Sequence, residues 1–584
     1  MKRRFLLTAI NAKYIHSNLA VYSLQAAAES RGISVDLEEF TINHRVDVIL
    51  QELYKRKPDV LFFSCYIWNW EYVKELSAEW RKIMPQVPVW VGGPEVSYDE
   101  ARVLEENPAI TGILLGEGEE SFPRLLEYYL QDFQEYGAWR EIIRLEDIPG
   151  LAFTKKTKEV REICLYPQEK PVDFHKLSFP YKDLENFSNK IIYYESSRGC
   201  PFSCSYCLSS LEKQVRFRDM ELVKQELGAF LEAGVAQVKF VDRTFNCRES
   251  HALEIWQFLL EHDNGRTNFH FEIGADLLTE KELALLEQLR PGQVQLEMGV
   301  QSTYGRTLEE IHRKMDFAEV KKKVLKVKSF GNIHQHLDLI AGLPFENLER
   351  FARSFDRVFA LGPEQLQLGF LKVLKGTLME KQALDYGIQY REKPPYEVLS
   401  TPWMSYEDLM ELKGVEEMVE IYYNSHQFSL TLAHLLLLWP SAFAFFRELA
   451  WFYEKKGWHQ VQHARVRRYE ILLEFIRQRL EREGRGEWEP RYRELLTFDY
   501  YLRENAKSRP DFALDLAPWR EEIRQIQKAW GKDVHVEAGR YFVGDKEAGQ
   551  GSEQMEEGPQ FWIFDYKKRN PLTKDAALYL AERP

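Results

Sequence analysis

Cys200, Cys204 and Cys207 fall within eight residues, in the run Gly199-Cys200-Pro201-Phe202-Ser203-Cys204-Ser205-Tyr206-Cys207. Thiols at this spacing suit a metal centre, because a disulfide framework spreads its cysteines through a chain. A structural zinc site takes four Cys or His ligands, usually as two pairs, and no partner pair accompanies these three. Iron–sulfur clusters take cysteine thiolates. Three thiolates from this loop would leave one iron of a [4Fe-4S] cluster without a protein ligand, free to chelate the amine and carboxylate of a small molecule. Zinc stays the alternative. The other three of the six cysteines, Cys65, Cys164 and Cys247, stand alone and read as small buried residues. Cys247, five residues after Asp242, is also a candidate for a redox or substrate role.

A strand over 191–195 must deliver the cysteine loop, and it opens a βα rhythm. Further strands are expected at 237–242, 269–273, 294–299, 334–340 and 366–371, with helical patterns such as 280–289 and 351–361 between them. Six such units imply an incomplete parallel barrel whose chemistry lies at the strand C-terminal ends. Polar residues recur there, namely Asp242, Glu297 and Asp338, while Gly299 and Gly342 allow close backbone approach.

Ahead of this lies a second βα rhythm, with strands expected at 5–10, 35–40, 60–64, 89–91 and 112–115, the pattern of a doubly wound sheet. Gly92-Gly93-Pro94 and Gly116-Glu117-Gly118 sit at strand C-terminal ends, where open α/β sheets bind ligands. From 385 onward the rhythm stops and aromatic-rich helical patterns such as 406–423 and 464–482 take over. The expected fold is α/β: a doubly wound Rossmann-like domain over 1–135, a connector with a small hairpin around 151–162 over 136–185, a partial (β/α)6 TIM-like barrel over 186–384, and a mainly α domain over 385–584. In that last domain 561–566 is expected to pair with 541–543 across a Gly- and Glu-rich loop at 549–558. The aromatics Trp403, Trp439, Trp451, Phe452 and Tyr453 read as core, with an apolar channel as the alternative.

Hydrophobic residues make up 45% and charged residues 29% of the 584, which describes a globular chain. A net charge of −13 disfavours a nucleic-acid duplex as partner, and the run Lys321-Lys322-Lys323 reads as a solvated helix face. The apolar stretch 430–446 contains His434 and Pro440 and reads as a buried helical hairpin, not a span. No cleavage signal follows the first apolar run, so a cytoplasmic protein without a membrane partner is expected.

On Cys200, Cys204, Tyr206 and Cys207 the chain resembles the radical S-adenosylmethionine (SAM) superfamily, whose signature is Cys-x3-Cys-x-aromatic-Cys. The resemblance implies a [4Fe-4S] cluster on the three cysteines and SAM on its open iron. It also implies an external electron donor such as a flavodoxin or ferredoxin, and a 5′-deoxyadenosyl radical that takes hydrogen from a small-molecule or peptide substrate. It sets Tyr206 beside the adenine, Asp242 toward the methionyl amine, Glu297 and Asp338 toward methionyl and ribose groups, and Gly342 against the ligand.

Residues 1–135 resemble the cobalamin-binding domain fused ahead of the barrel in one radical SAM subgroup, the class B methyltransferases. The segments that carry this are Gly92-Gly93-Pro94-Glu95 and Gly116-Glu117-Gly118-Glu119-Glu120, where small residues would let a corrin and its nucleotide tail lie over the sheet edge. Other cobalamin proteins supply an axial histidine from Asp-x-His-x-x-Gly after the first strand. Here Asn11 takes the Asp position and Lys13 the histidine position, so the cobalt's lower face is left to water, to no ligand or to another side chain, and the resemblance makes the loop Ser64-Cys65-Tyr66-Ile67-Trp68-Asn69 a candidate neighbour. His16 reads as a helix-start histidine, with ligation as the alternative. The subgroup implies cobalamin-dependent methyl transfer to an unactivated carbon. Radical cyclisation, rearrangement or dehydrogenation without methyl transfer is one alternative, and a non-catalytic iron–sulfur or cobalamin sensor another. Residues 385–584 carry no readable motif and are expected to meet the substrate.

Overall fold

The computed structural model describes residues 3–131, 143–156, 161–168, 170–541 and 559–582. Two compact units result, one of residues 1–296, 308–315 and 370–402, the other of 297–307, 316–369 and 403–584. The first unit opens with parallel strands β1 (Phe5–Asn11), β2 (Asp36–Thr41), β3 (Val60–Ser64), β4 (Val89–Gly92) and β5 (Gly112–Leu114), each followed by a helix. Every residue of β1 and β3 is buried, as it must be when helices cover both faces of a parallel sheet. The strand order is β2-β1-β3-β4-β5, so the chain reverses direction of growth between β1 and β3. The loops leaving those two strands flank the resulting crevice, which is where doubly wound sheets take ligands.

Two antiparallel strands, β6 (Leu151–Lys156) and β7 (Arg161–Tyr166), continue this sheet beyond β5. The hairpin expected inside a connector is therefore an extension of the first sheet.

The same unit contains β8 (Ile191–Tyr194), β9 (Gln237–Phe240) and β10 (Asn268–Glu272), with β9 pairing in parallel to both others. The loop after β1 runs along β8: the Ile191 amide donates to the Ile15 carbonyl at 2.6 Å, and Ser17 Oγ donates to the Ile191 carbonyl at 2.9 Å. Further along the chain come the strands β11 (Val294–Gln301), β12 (His334–Ala341) and β13 (Gln365–Phe370). Burial alternates along β11, with Val294, Leu296, Met298 and Val300 covered and Gln295, Glu297, Gly299 and Gln301 on the other face.

The second unit ends in helices, among them Tyr406–Met418, Ala442–Lys456, Arg465–Glu483 and Glu489–Arg503, and a three-stranded antiparallel sheet of β14 (Val534–Gly539), β15 (Gln560–Arg569) and β16 (Ala576–Ala581). The strand that pairs with β15 is Val534–Gly539; of the pairing expected at 541–543, residues 542–543 and the 549–558 loop lie outside the described residues. Helices Ser429–Leu438 and Ala442–Lys456 meet at 102°, and among the described residues no single helix is long and apolar enough to cross a membrane. Trp439, Phe452 and Tyr453 are buried as core residues, whereas Trp451 is 47% exposed.

Gly93 fixes the approach of the β3 and β4 ends. Its φ is +114°, and a Cβ there would lie 2.5 Å from the Cys65 carbonyl oxygen. Gly93→Ala is expected to lose about 2 kcal/mol or more of stability, since strain and a backbone collision add. Urea denaturation measures it, and an unchanged midpoint would show that the two loops tolerate separation.

Candidate functional site

After β8 the chain turns sharply at Gly199, where φ is +97° and a Cβ would lie 2.5 Å from the Gln214 carbonyl oxygen. Only glycine accepts both conditions. The turn lets the Cys200 amide donate to the Glu212 carbonyl at 2.9 Å, so the cysteine loop closes on its own returning segment. From outside, the Ser205 amide donates to the Ile311 carbonyl at 2.9 Å and the Met379 amide to the Ser205 carbonyl at 2.8 Å. Cys200 and Cys204 are buried and Cys207 is partly exposed, all three as free thiols. Cys200 Sγ lies 3.7 Å from Thr244 Oγ1, and Arg313 Nη1 donates to Cys204 Sγ at 3.7 Å. Burial pushes the Cys204 thiol up, against the pull of the Arg313 guanidinium.

Beneath the loop sits Asp242, fully buried. Its Oδ2 accepts from the Ser196 amide at 2.9 Å, and its Oδ1 from Ser196 Oγ and Ser197 Oγ, both at 2.6 Å. Period two along the strand puts Val238, Phe240 and Asp242 on the covered face, so this carboxylate faces inward. Desolvation pushes it from 3.8 to about 6 despite the three donors. Because the Ser196 hydroxyl proton goes to Asp242, His251 Nε2 at 2.9 Å is assigned as a donor to Ser196 Oγ. His251 is itself buried and pushed down to about 4, first by desolvation and then by Arg248.

Glu117 is committed to side chains near the cysteine loop. Arg198 binds it at 2.9 Å and also reaches Glu119 at 2.8 Å and Glu195 at 2.7 Å, while Arg216 bridges Glu117 and Glu212. Burial opposes its charge, yet Arg216 and Arg198 outweigh that and hold Glu117 below its usual value. Gly116 is exposed beside Gln168, and Gly118 packs on Leu24.

At the crevice between β1 and β3, Asn11 Nδ2 donates to Glu39 Oε1 at 2.9 Å, Lys13 is exposed, and Asn18 Nδ2 reaches Ser64 Oγ at 3.5 Å. Tyr66 and Trp68 stack at 4.4 Å, and the Trp68 indole N–H donates to the Ile10 carbonyl. Asn18 Oδ1 is buried without a hydrogen-bond partner among the described residues, an acceptor left open for a ligand. Gly92 ends β4, the neighbour of β3, and Pro94 follows two residues later. His16 Nδ1 hydrogen-bonds Tyr193 Oη at 2.8 Å and is held low by burial, Lys13 and Lys239.

In the second unit, Glu297 and His336 bring ligand atoms within 4.8 Å of each other, and His336 Nε2 lies 2.9 Å from Asp338 Oδ1. Gly342, with φ +85°, follows β12. Glu346 is fully buried and accepts from Ser302 Oγ at 2.6 Å and Ser354 Oγ at 3.1 Å. Arg313, Ser196, Ser197, Arg198 and Glu346 were not singled out by the sequence. The two serines and Arg198 adjoin the cysteine motif, whereas Arg313 and Glu346 carry no local signal at all.

This fold and cysteine loop match two known domain types: the B12 binding domain over residues 6–126 and the radical SAM superfamily over 194–358. Residues 384–538 match a family described only as a protein of unknown function, DUF4080. Among relatives, the cobalamin-dependent radical SAM methyltransferase TokK of Streptomyces tokunonensis is 26% identical over 58% of this chain and 51% of its own length. The anaerobic magnesium-protoporphyrin IX monomethyl ester cyclase of Cereibacter sphaeroides is 21% identical over 54% of this chain and 52% of its own. The chain thus spans about half the length of these curated relatives. The solved structure of the cobalamin-dependent SAM radical enzyme OxsB with aqua-cobalamin and SAM bound shares the fold, with a TM-score of 0.58 and 14% identity over 85% of this chain and 79% of that one.

The chain thus carries a radical SAM domain behind an N-terminal B12 binding domain. More particularly, it is homologous to cobalamin-dependent radical SAM methyltransferases and carries an additional C-terminal domain of unknown function. Those domains bring a [4Fe-4S] cluster, SAM and cobalamin as cofactors. The residues present fit them: three free thiols on one loop for the cluster, and a switch-point crevice with an open buried acceptor for the corrinoid.

Glu346 gives a pH test of the loop after β12. Burial pushes its carboxyl from 4.5 to about 7, so the folded chain holds this proton more tightly than the unfolded one. The resulting stabilisation is complete below the unfolded value and is lost as pH rises through 7; a shift of this size is worth about 3 kcal/mol. Glu346→Gln is expected to flatten stability against pH between about 4.5 and 7, read by urea denaturation at several pH values. A slope like that of the parent would mean the carboxyl is charged throughout.

Proposed function

We propose that this chain is a radical SAM enzyme that transfers a methyl group, by way of cobalamin, to an unactivated carbon of a small-molecule or peptide substrate, with electrons from a flavodoxin- or ferredoxin-type donor. The observation that carries it is one compact unit holding both a three-thiol loop at a strand C-terminal end and a B12-type sheet with an open switch-point crevice. When bound, the cluster supplies the electron that cleaves SAM and the corrinoid carries the methyl group.

The chain's own share is positioning. Cys200, Cys204 and Cys207 hold the cluster, and Asp242 with Ser196 and Ser197 fixes where their loop starts. Tyr206, Asp242, Glu297, Asp338 and Gly342 are assigned toward SAM, with the Asp242 carboxylate held by Ser196 and Ser197, and Asn11, Lys13, Ser64, Tyr66, Gly92, Gly93, Pro94 and Gly116 to Gly118 toward the corrinoid. Within this last group the Glu117 side chain serves the Arg198 and Arg216 pairing. The domain limits 1–135, 136–185, 186–384 and 385–584 are proposed with one change, since β6 and β7 within 136–185 belong to the first sheet, and the last domain is assigned to substrate contact. Ring closure without methyl transfer is the second reading, favoured by the likeness to a cyclase at nearly the same coverage as the methyltransferase.

The test is mass spectrometry of SAM products from anaerobic, reconstituted and reduced protein, with and without cobalamin. Methyl transfer is expected to give 5′-deoxyadenosine together with cobalamin-dependent S-adenosylhomocysteine, and Cys200→Ala to lower 5′-deoxyadenosine by 100-fold or more, on the order of ~3 kcal/mol. Formation of 5′-deoxyadenosine alone would favour the second reading, and neither product above the Cys200→Ala level would leave a sensor.

A further inference from the structure

Arg313 lies more than a hundred residues beyond the cysteine loop, yet its guanidinium donates to Cys204 Sγ at 3.7 Å and also hydrogen-bonds Tyr206. Its placement comes from the backbone. The Arg313 amide donates to the Leu308 carbonyl at 2.8 Å, and the carbonyl of nearby Ile311 accepts from the Ser205 amide at 2.9 Å. The cation is therefore built against a sulfur of the metal-binding loop by two backbone contacts, one of them to the loop itself. Around an iron–sulfur cluster, hydrogen bonds to the ligand sulfurs and nearby charge set the reduction potential, because both favour the state with more negative charge. Cys200 Sγ faces a neutral group, the Thr244 hydroxyl at 3.7 Å, whereas Cys204 Sγ takes a cationic donor.

We propose that Arg313 is a positioning residue that raises the reduction potential of the cluster held by Cys200, Cys204 and Cys207, through its hydrogen bond to Cys204 Sγ. The step it favours is uptake of one electron from a low-potential one-electron donor: the donor is oxidised by one electron, the cluster reduced by one, and no proton or covalent bond moves. The inference rests on the cluster assignment above and is independent of what happens to the methyl group.

The full chain is reconstituted anaerobically, its iron and sulfide are counted, and the reduced fraction is read by electron paramagnetic resonance during a mediated redox titration. In R313M the ratio of reduced to oxidised cluster at a fixed potential is expected to fall about tenfold, which for a one-electron couple is about 59 mV. R313K, a charged donor on a different stem, is expected to fall between R313M and the parent. Fully loaded R313M that titrates with the parent overturns the proposal. If R313M takes up no cluster, neutral R313Q replaces it and an unshifted R313Q overturns the proposal equally; if neither loads, an unshifted R313K does so. A parent chain that binds no cluster overturns the functional reading and this inference together, whereas a loaded parent with unshifted variants overturns this one alone.

Discussion

The architecture of the site depends on how one buried carboxylate is satisfied. Asp242 sits where no water reaches it, and a carboxylate there must find donors, since each buried acceptor left unmet costs about 1–3 kcal/mol. The donors it finds are the Ser196 amide and the hydroxyls of Ser196 and Ser197, the residues between β8 and the first cysteine. Three short bonds thus pin the point from which the thiol loop departs. His251 closes the arrangement from the helix side, and Phe217 packs against its ring at 4.7 Å. Everything downstream, from the Gly199 turn to the burial of Cys200 and Cys204, starts from that pinned position.

Much of this was legible in the residues. Strand β3 has the bounds that its four apolar residues and Ser64 suggest, and all six strands expected of the barrel are present within a residue or two of their expected ends. These elements are readable because period and burial agree in them. The cysteine loop was readable because ligand spacing is local. What escaped are features set by pairing across long sequence distances. The hairpin β6–β7 looks like a connector until β5 is seen to accept it as a neighbour. Glu117, in a glycine-rich turn that suits a ligand, turns out to be paired with guanidiniums 81 and 99 positions later, at Arg198 and Arg216. Arg313 follows a short helix with no pattern to mark it, and its arrival at Cys204 depends on the Ser205 to Ile311 bond, a contact across more than a hundred residues.

The Arg198 cluster ties the cysteine loop to the first sheet. One guanidinium, in the residue before Gly199, holds three carboxylates, two of which belong to the turn after β5 and the start of the helix that follows it. Partly buried ion networks of this sort resist removal of a single partner, because the remaining charges are then stranded. The arrangement fixes the glycine-rich turn to the residue beside the cluster ligands, so that a shift of one is passed to the other through rigid contacts and not through a flexible linker.

The loop after β1 has a second consequence. Strand β8 ends its sheet, and an end strand with open amide and carbonyl groups is a template on which another chain can pair. Ile15 takes the Ile191 amide, and Ser17 takes its carbonyl. The segment that borders the crevice therefore also blunts an exposed rim of β-structure. A protein cut just before Asn18 would lose that cover, and its first failure would be self-association through β8.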